Sequence, residues 1–211
     1  MDKVVSLINS NAQRYVEEMI ELLKIPSISA DSSMNAETRR AGVWIADKLR
    51  ENGIDNVKLI ETGGHPVVYG DWLHAAGKPT ILVYGHYDVQ PVDPLELWDS
   101  PPFEPVVKNG NIYGRGTSDD KAQLLTHVFA LGALLKENGE LPVNVKFFIE
   151  GEEEAGSEHT GPFVVNNTEL LACDAVVISD TAWFSATLPT IVYALRGLCY
   201  MEFIVKGPNR D

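Results

Sequence analysis

One histidine and several acidic residues stand where they could bind divalent cations. Most of them directly follow an apolar run of the chain, and one precedes an apolar segment with helical spacing: His86, Asp119, Glu153, Glu154 and Asp180. Imidazole nitrogens and carboxylate oxygens are the ligands that zinc and manganese accept in proteins. If the fold brings these residues together, they form a metal site suited to hydrolysis of a polar bond.

Three apolar runs must place most of these residues. Residues 80–84 form an unbroken apolar run of the kind found in strands buried on both faces of a sheet, and residues 143–149 and 175–179 are largely apolar and β-branched. In open α/β sheets, ligands bind at the carboxyl ends of the strands. We therefore expect the residues that follow these three runs to meet at one edge of the sheet.

Helices alternate with the predicted strands. The spacing of apolar residues predicts them at 3–24, 36–52, 121–137 and 158–171. Two further strands are predicted at 57–61 and 67–72, and a long strand near the end of the chain at 191–205. A hairpin is predicted with its turn at Asn109-Gly110. This order indicates the α/β class, as a sandwich with a mainly parallel sheet.

His86 has a candidate partner two residues further on. On extended backbone, Asp88 projects to the same side as His86 and can accept the second N–H of the imidazole, which would aim the ring at a metal. Taken alone, a histidine at this place is more often a hydrogen-bonded structural residue. Asp119 and Asp120 have a structural alternative as well, because carboxylates favour the N-terminus of a helix.

The run Glu152, Glu153, Glu154 allows two interpretations. By itself an acidic run is typical of a solvated turn. Beside the other candidate ligands it becomes part of a metal site, in which adjacent side chains diverge, so that one binds a cation while the other acts as a general base. We expect Glu152 to face solvent. The sequence has no GxSxG, HExxH or P-loop motif, which disfavours those chemistries.

Composition excludes some partners. The 211 residues include 17 Lys and Arg against 30 Asp and Glu, for a net charge of −13, which disfavours nucleic acid and anionic membranes. Cys173 and Cys199 lack CxxC spacing, which favours free thiols and a cytoplasmic location. The N-terminus does not resemble a signal peptide, and no run is apolar enough to span a membrane.

Five motifs, in order, carry a resemblance to a known family. They are GHYDVQP (85–91), WDSPPF (98–103), YGRGTSDDK (113–121), EGEEEAGSE (150–158) and ISD (178–180). Together they resemble the M20 family of metallopeptidases, in particular its dipeptidase branch, which is similar to cytosolic carnosine dipeptidases. The resemblance implies a zinc-peptidase-like, three-layer α/β/α sandwich with a mixed sheet.

The resemblance also implies a set of metal ligands. His86 and Asp180 would bind one divalent ion, Glu154 would bind a second, and Asp119 would bridge the two. Members of the family usually hold two zinc ions, and manganese or cobalt are alternatives.

Two further roles follow from the same resemblance. Glu153 would be the general base that activates water, and Asp88 would orient His86. The peptide bond between Asp119 and Asp120 would be cis.

The resemblance covers most of this chain, but the chain is shorter than a usual family member. Residues 1–190 are expected to be the N-terminal part of the catalytic domain, and residues 191–211 the first strand of a lid domain through which the family forms homodimers. The last histidine ligand of the family has no counterpart here, so the second metal site is expected to be incomplete. His159, close to the glutamates, is left open as a substitute.

Three functions remain in view. The first is hydrolysis of the amide bond of dipeptides or short peptides. The second is deacylation of N-acyl amino acids, in which the same metals would cut the same kind of bond. The third is a catalytically incompetent fragment or binding module that keeps a partial metal site.

Overall fold

The computed structural model describes residues 1–185 and 187–208, in which helices flank a five-stranded mixed sheet. The strands are β1 (Asp55–Ile60), β2 (Val67–Trp72), β3 (Thr80–His86), β4 (Val106–Lys108), β5 (Asn111–Tyr113), β6 (Asn144–Glu150) and β7 (Ala175–Ile178). The α-helices are α1 (Asp2–Ser10), α2 (Ala12–Leu23), α3 (Asn35–Glu51), α4 (Lys121–Asn138), α5 (Thr160–Asn166) and α6 (Thr168–Leu171).

The strand order places the predicted site at one edge of the sheet. The order is β1-β2-β6-β3-β7, in which β3 is parallel to both β6 and β7, while β2 is antiparallel to β1 and β6. His86 lies opposite Glu150, and Tyr84 lies opposite Ile178. The carboxyl ends of the three parallel strands therefore meet at the same edge, as predicted.

The sheet is covered on both faces, which confirms the three-layer sandwich. On β6, Val145, Phe147 and Ile149 belong to a core that includes residues from α2, α3 and α4. Phe148, on the opposite face of the same strand, packs against Phe163 of α5, with ring centroids 5.8 Å apart. Successive side chains of a strand point to opposite faces, so one apolar strand contributes to both cores.

Two predicted helices are each divided by an asparagine. The predicted helix 3–24 is interrupted at Asn11, which follows the end of α1. The side-chain amide of Asn11 donates to the carbonyl of Leu7 at 2.8 Å, and α2 begins at the next residue. The predicted helix 158–171 is interrupted at Asn167, between α5 and α6. The side-chain amide of Asn167 donates to the carbonyl of Phe163 at 2.8 Å. Asparagine side chains compete for backbone carbonyls in this manner, which the apolar spacing does not reveal.

The predicted hairpin forms with the expected turn. β4 and β5 pair in antiparallel fashion, and the two residues between them, Asn109 and Gly110, have φ values of 54° and 77°. Two-residue hairpin turns of this kind need positive φ at both positions, which asparagine and glycine tolerate.

The chain divides into two compact units, Met1–Asp180 and Thr181–Asp211. Residues 189–208, which the structure describes, form no strand. The prediction of a long strand at 191–205 is therefore wrong. A strand needs a neighbour to pair its N–H and C=O groups. Among the described residues of this unit, the structure shows only an isolated bridge between Ser185 and Leu188. Of the helices in the described ranges, none has the length and apolar character to cross a membrane.

Candidate metal centre

His86 is held from both sides at the carboxyl end of β3. Its side chain is fully buried, and its backbone N–H donates to the Oδ2 atom of Asp120 at 3.1 Å. Its Nδ1 atom lies 3.1 Å from the backbone carbonyl of Asp88 and 3.3 Å from Oδ1 of the same residue. A proton on Nδ1 donates to the carbonyl of Asp88, beside the Asp88 carboxylate, and leaves Nε2 free to bind a metal.

Two groups of potential ligands surround this imidazole. His86, Asp119 and Asp180 offer ligand atoms that all lie within 4.8 Å of one another, and so do His86, Glu153 and Glu154. The Nε2 atom of His86 is 3.0 Å from the carboxylate of Asp119 and 3.7 Å from that of Asp180. The fold thus brings together the five residues that the sequence analysis placed in a metal site.

The carboxylate of Asp88 connects three parts of this centre. Its Oδ2 atom accepts hydrogen bonds from the hydroxyl of Ser29 at 2.6 Å and from the backbone N–H of Glu154 at 3.0 Å. Its buried Oδ1 atom faces the imidazole of His86, with no conventional hydrogen-bond partner among the described residues. Asp88 therefore ties the ring of His86 to the turn that carries the glutamates.

Asp120 does not cap α4 with its side chain. The peptide bond between Asp119 and Asp120 is cis, as the family resemblance implied. Asp120 stands at the N-cap position, but its carboxylate accepts the backbone N–H of His86, and no side-chain capping bond is found within the described structure. Gly85 permits this approach, since a Cβ atom there would lie 2.6 Å from Oδ2 of Asp120.

The expectation that Glu152 faces solvent is wrong. Its side chain is buried. The backbone N–H groups of His65 and His159 donate hydrogen bonds to its carboxylate, which replace the lost contact with water. The Nδ1 atom of His159 also lies against this carboxylate, at 3.1 Å. Neither ligand group found in residues 1–185 and 187–208 includes His159, so the structure does not bring it into the centre as a substitute ligand.

Gln90 belongs to the centre, and the sequence analysis did not single it out. Its side-chain amide donates to the Oε2 atom of Glu154 at 2.6 Å. One signal was available, because His86, Asp88 and Gln90 alternate along the chain. On extended backbone such residues share one side.

Burial and mutual repulsion perturb the pKa values in this cluster. Burial alone would lower the pKa of His86, but the hydrogen bond and negative charge of Asp88, together with other carboxylates, raise it to about 10. Burial raises the pKa of Glu153, of Glu154 and of Asp180 above their ordinary values, and neighbouring carboxylates add to each shift. The centre therefore concentrates negative charge that a bound cation would neutralise.

The donor set fits divalent cations. One imidazole nitrogen with carboxylate oxygens suits zinc or manganese, and the ring of His86 is already oriented by a buried carboxylate whose second oxygen anchors the glutamate turn. Within the two ligand groups, His86 is the only basic side chain, and the other four residues are acidic.

The three-layer α/β sandwich places a cluster of carboxylates and one histidine at the carboxyl edge of its sheet, where open α/β folds bind their ligands. Residues 82–192 match the pattern of peptidase family M20/M25/M40, and the chain belongs to this family.

Curated relatives and solved structures agree with this assignment. Over its whole length the chain is 31% identical to Cys-Gly metallodipeptidase dug1 of Schizosaccharomyces pombe and 30% identical to Beta-Ala-His dipeptidase of Mus musculus. The crystal structure of human carnosine dipeptidase 1 matches 87% of this chain at 31% identity, with a TM-score of 0.81. The chain spans 47% and 46% of the two relatives' lengths and 42% of the matched crystal chain.

Proposed function

We propose that this chain carries most of the metal centre of a dinuclear dipeptidase. The observation that carries the proposal is a difference in hydrogen bonding between two adjacent glutamates, Glu153 and Glu154. Glu154 is anchored, through its carboxylate by Gln90 and through its N–H by Asp88. Among the described residues, no hydrogen bond restrains the carboxylate of Glu153. An anchored carboxylate suits a metal ligand, whereas an unrestrained one suits a base that must exchange protons.

The ligand assignment follows the family resemblance, and the group of His86, Asp119 and Asp180 agrees with its first part. His86 and Asp180 would hold one divalent ion and Glu154 a second, while Asp119 would bridge them. The short distance from Nε2 of His86 to Asp119, 3.0 Å, supports the first group. Zinc is the favoured metal, with manganese and cobalt as alternatives.

The residues of the chain divide the chemical work. Bound divalent ions would supply Lewis-acid polarisation of the amide carbonyl and would acidify the attacking water. Glu153 would accept the proton of that water and return it to the nitrogen of the leaving amine. Asp88 would keep the proton of His86 on Nδ1, which leaves Nε2 as the ligand atom.

Dipeptides are the proposed substrates. The relatives are named for Cys-Gly and Beta-Ala-His, both of which are small dipeptides, so the proposal extends this substrate class to the present protein. Neither the N-acyl amino acid reading nor that of a non-catalytic module gains support from these names.

Assembly and location complete the proposal. Residues 1–190 would be part of the catalytic domain, and residues 191–211, of which the last three lie outside the described residues, would begin a lid domain that joins two subunits. The free cysteines are consistent with a cytoplasmic location.

The test compares Glu153→Gln with Glu154→Gln in the full-length protein. Both changes remove one negative charge from neighbouring positions. We expect Glu153→Gln to keep its metal content while hydrolysis of Cys-Gly or β-alanyl-histidine falls by about 10²–10⁴-fold. Glu154→Gln should lose one ion per chain by mass-spectrometric metal analysis. Full turnover by Glu153→Gln, or faster cleavage of N-acetyl amino acids than of dipeptides, would overturn the proposal.

A further inference from the structure

Glu152 holds two distant segments beside the turn that carries the proposed base and ligand. Its Oε1 atom accepts the backbone N–H of His65 at 2.7 Å, from the segment between β1 and β2. Its Oε2 atom accepts the backbone N–H of His159 at 3.1 Å, directly before α5. The side chain of Glu152 is only 7% exposed. Hydrogen bonds to a buried carboxylate are stronger than those between neutral groups, so these contacts fix its position.

The backbone of the same residue begins the turn. The carbonyl of Glu152 accepts the N–H of Ala155 at 3.0 Å and that of Ser157 at 2.8 Å, which closes the 3-10 turn Glu153–Ala155. Further along the turn, the N–H of Glu154 donates to Asp88. The turn is thus anchored at its start by Glu152 and in its middle by Asp88.

The fit around this carboxylate is close on one side and open on the other. A Cβ atom at Gly64 would lie 1.6 Å from Oε1 of Glu152 and 2.5 Å from Nδ1 of His159, so only glycine is compatible with this arrangement. A cavity of about 350 Å³ lies against the same group and is also lined by Glu158. Water in this cavity can solvate a substituted side chain, so a change at Glu152 removes hydrogen bonds without opening the apolar core.

We propose that Glu152 is a positioning residue for Glu153 and Glu154. It lies outside both ligand groups and acts through the backbone of the turn. The inference rests on the proposed function, because it assigns to Glu152 the placement of that site's base and ligand. Loss of its carboxylate would let the turn shift relative to Asp88. The ion held through Glu154 would then bind more weakly, while the ion held by His86 and Asp180 would be affected little.

The variants are Glu152→Gln and Gly64→Ala, with Glu158→Gln as the matched control. Glutamine keeps the shape of Glu152 but must turn its NH₂ group toward one of two N–H donors. Gly64→Ala pushes on the same carboxylate from outside the turn. Glu158 lines the same cavity and is exposed. Among the described residues, its side chain has no hydrogen-bond partner.

The readout is calorimetric titration of the metal-free full-length protein with Zn²⁺, together with thermal unfolding before metal is added. A third variant, Glu154→Gln, identifies which of the two dissociation constants belongs to its site. For Glu152→Gln and for Gly64→Ala we expect that dissociation constant to rise about tenfold, and the other to change by less than about twofold. Glu158→Gln should leave both unchanged.

Several results would overturn the inference. One is unchanged Zn²⁺ dissociation constants in Glu152→Gln. Another is an equal rise of both dissociation constants in proportion to a lower Tm, which would assign Glu152 a merely structural role. The readout does not depend on turnover. A protein that binds two ions but does not cleave dipeptides would refute the proposed function and leave the positioning role of Glu152 to be decided by the titration.

Discussion

The side-chain amide of Gln90 donates a hydrogen bond to the carboxylate of Glu154 across 64 positions of sequence, with 2.6 Å between Nε2 and Oε2. The next residue, Pro91, is held as well, because Arg115 donates a hydrogen bond to its carbonyl at 2.9 Å. The guanidinium of Arg115 also lies over the ring of Trp98. The loop that follows β3 and the turn that follows β6 are therefore joined at the proposed ligand itself.

Replacement of Gln90 should weaken metal binding. In Gln90→Met the carboxylate of Glu154 loses its hydrogen-bond donor and gains freedom to rotate, so we expect the dissociation constant of one Zn²⁺ ion to rise about tenfold in calorimetric titration. Gln13→Met is the matched control, since Gln13 donates to Glu17 at 2.9 Å on the exposed face of α2. Equal affinities in the two variants would contradict a role for Gln90.

A change at Asp88 should have a larger effect. Asp88→Asn removes the negative charge beside Nδ1 of His86 and places an amide where only acceptors are needed, so the imidazole loses its preferred orientation. We expect metal affinity to fall about 10–100-fold. Asp99→Asn, an exposed aspartate whose side chain makes no hydrogen bond to any described residue, should bind metal as the unaltered protein does. Undiminished affinity in Asp88→Asn would refute this orientation.

Glu150 should contribute strongly to stability at the end of β6. Its buried carboxylate accepts hydroxyl groups from Tyr84 at 2.6 Å, Ser157 at 2.8 Å and Thr160 at 2.7 Å. Glu150→Ala removes the acceptor of all three donors, and we expect a loss of about 3 kcal/mol in the free energy of unfolding by urea. Tyr84→Phe removes one donor and should cost about 1 kcal/mol. Equal losses in the two variants would argue against a shared network.

A methyl group at Gly151 should destabilise the protein by steric overlap. A Cβ atom there would lie 2.3 Å from Cζ of Tyr87, whose buried ring is held by a hydrogen bond from its hydroxyl to the carbonyl of Pro66 at 2.5 Å. We expect Gly151→Ala to lower the free energy of unfolding by about 2 kcal/mol. The control is Gly161→Ala on α5, where no described atom lies within 4 Å of the added carbon, and where alanine should be neutral or stabilising by about 0.5 kcal/mol. Similar unfolding midpoints for both variants would disprove the overlap.

The strands and their order along the chain were predictable because local patterns specify them. Largely apolar runs predicted β3, β6 and β7 to within two residues, and the asparagine-glycine pair predicted the turn between β4 and β5. The helix breaks at Asn11 and Asn167 were not predicted, since they arise from a side chain that competes for one carbonyl. The long strand predicted at 191–205 failed because its pattern was local, whereas a strand requires a partner.

The sequence by itself determined that His86, Glu153, Glu154 and Asp180 would meet, because parallel strands bring their carboxyl ends to one edge and the residue types are those of a metal site. Asp119 precedes a helix, and its role in the site was implied by the family resemblance. Only the tertiary structure decided what surrounds them. Whether Glu152 faces water or a buried pair of N–H groups, and whether Asp120 caps a helix or holds the backbone of His86, depends on contacts between segments far apart in sequence. Such contacts leave no periodic signal in the chain, since they depend on how the loops pack after the sheet has formed.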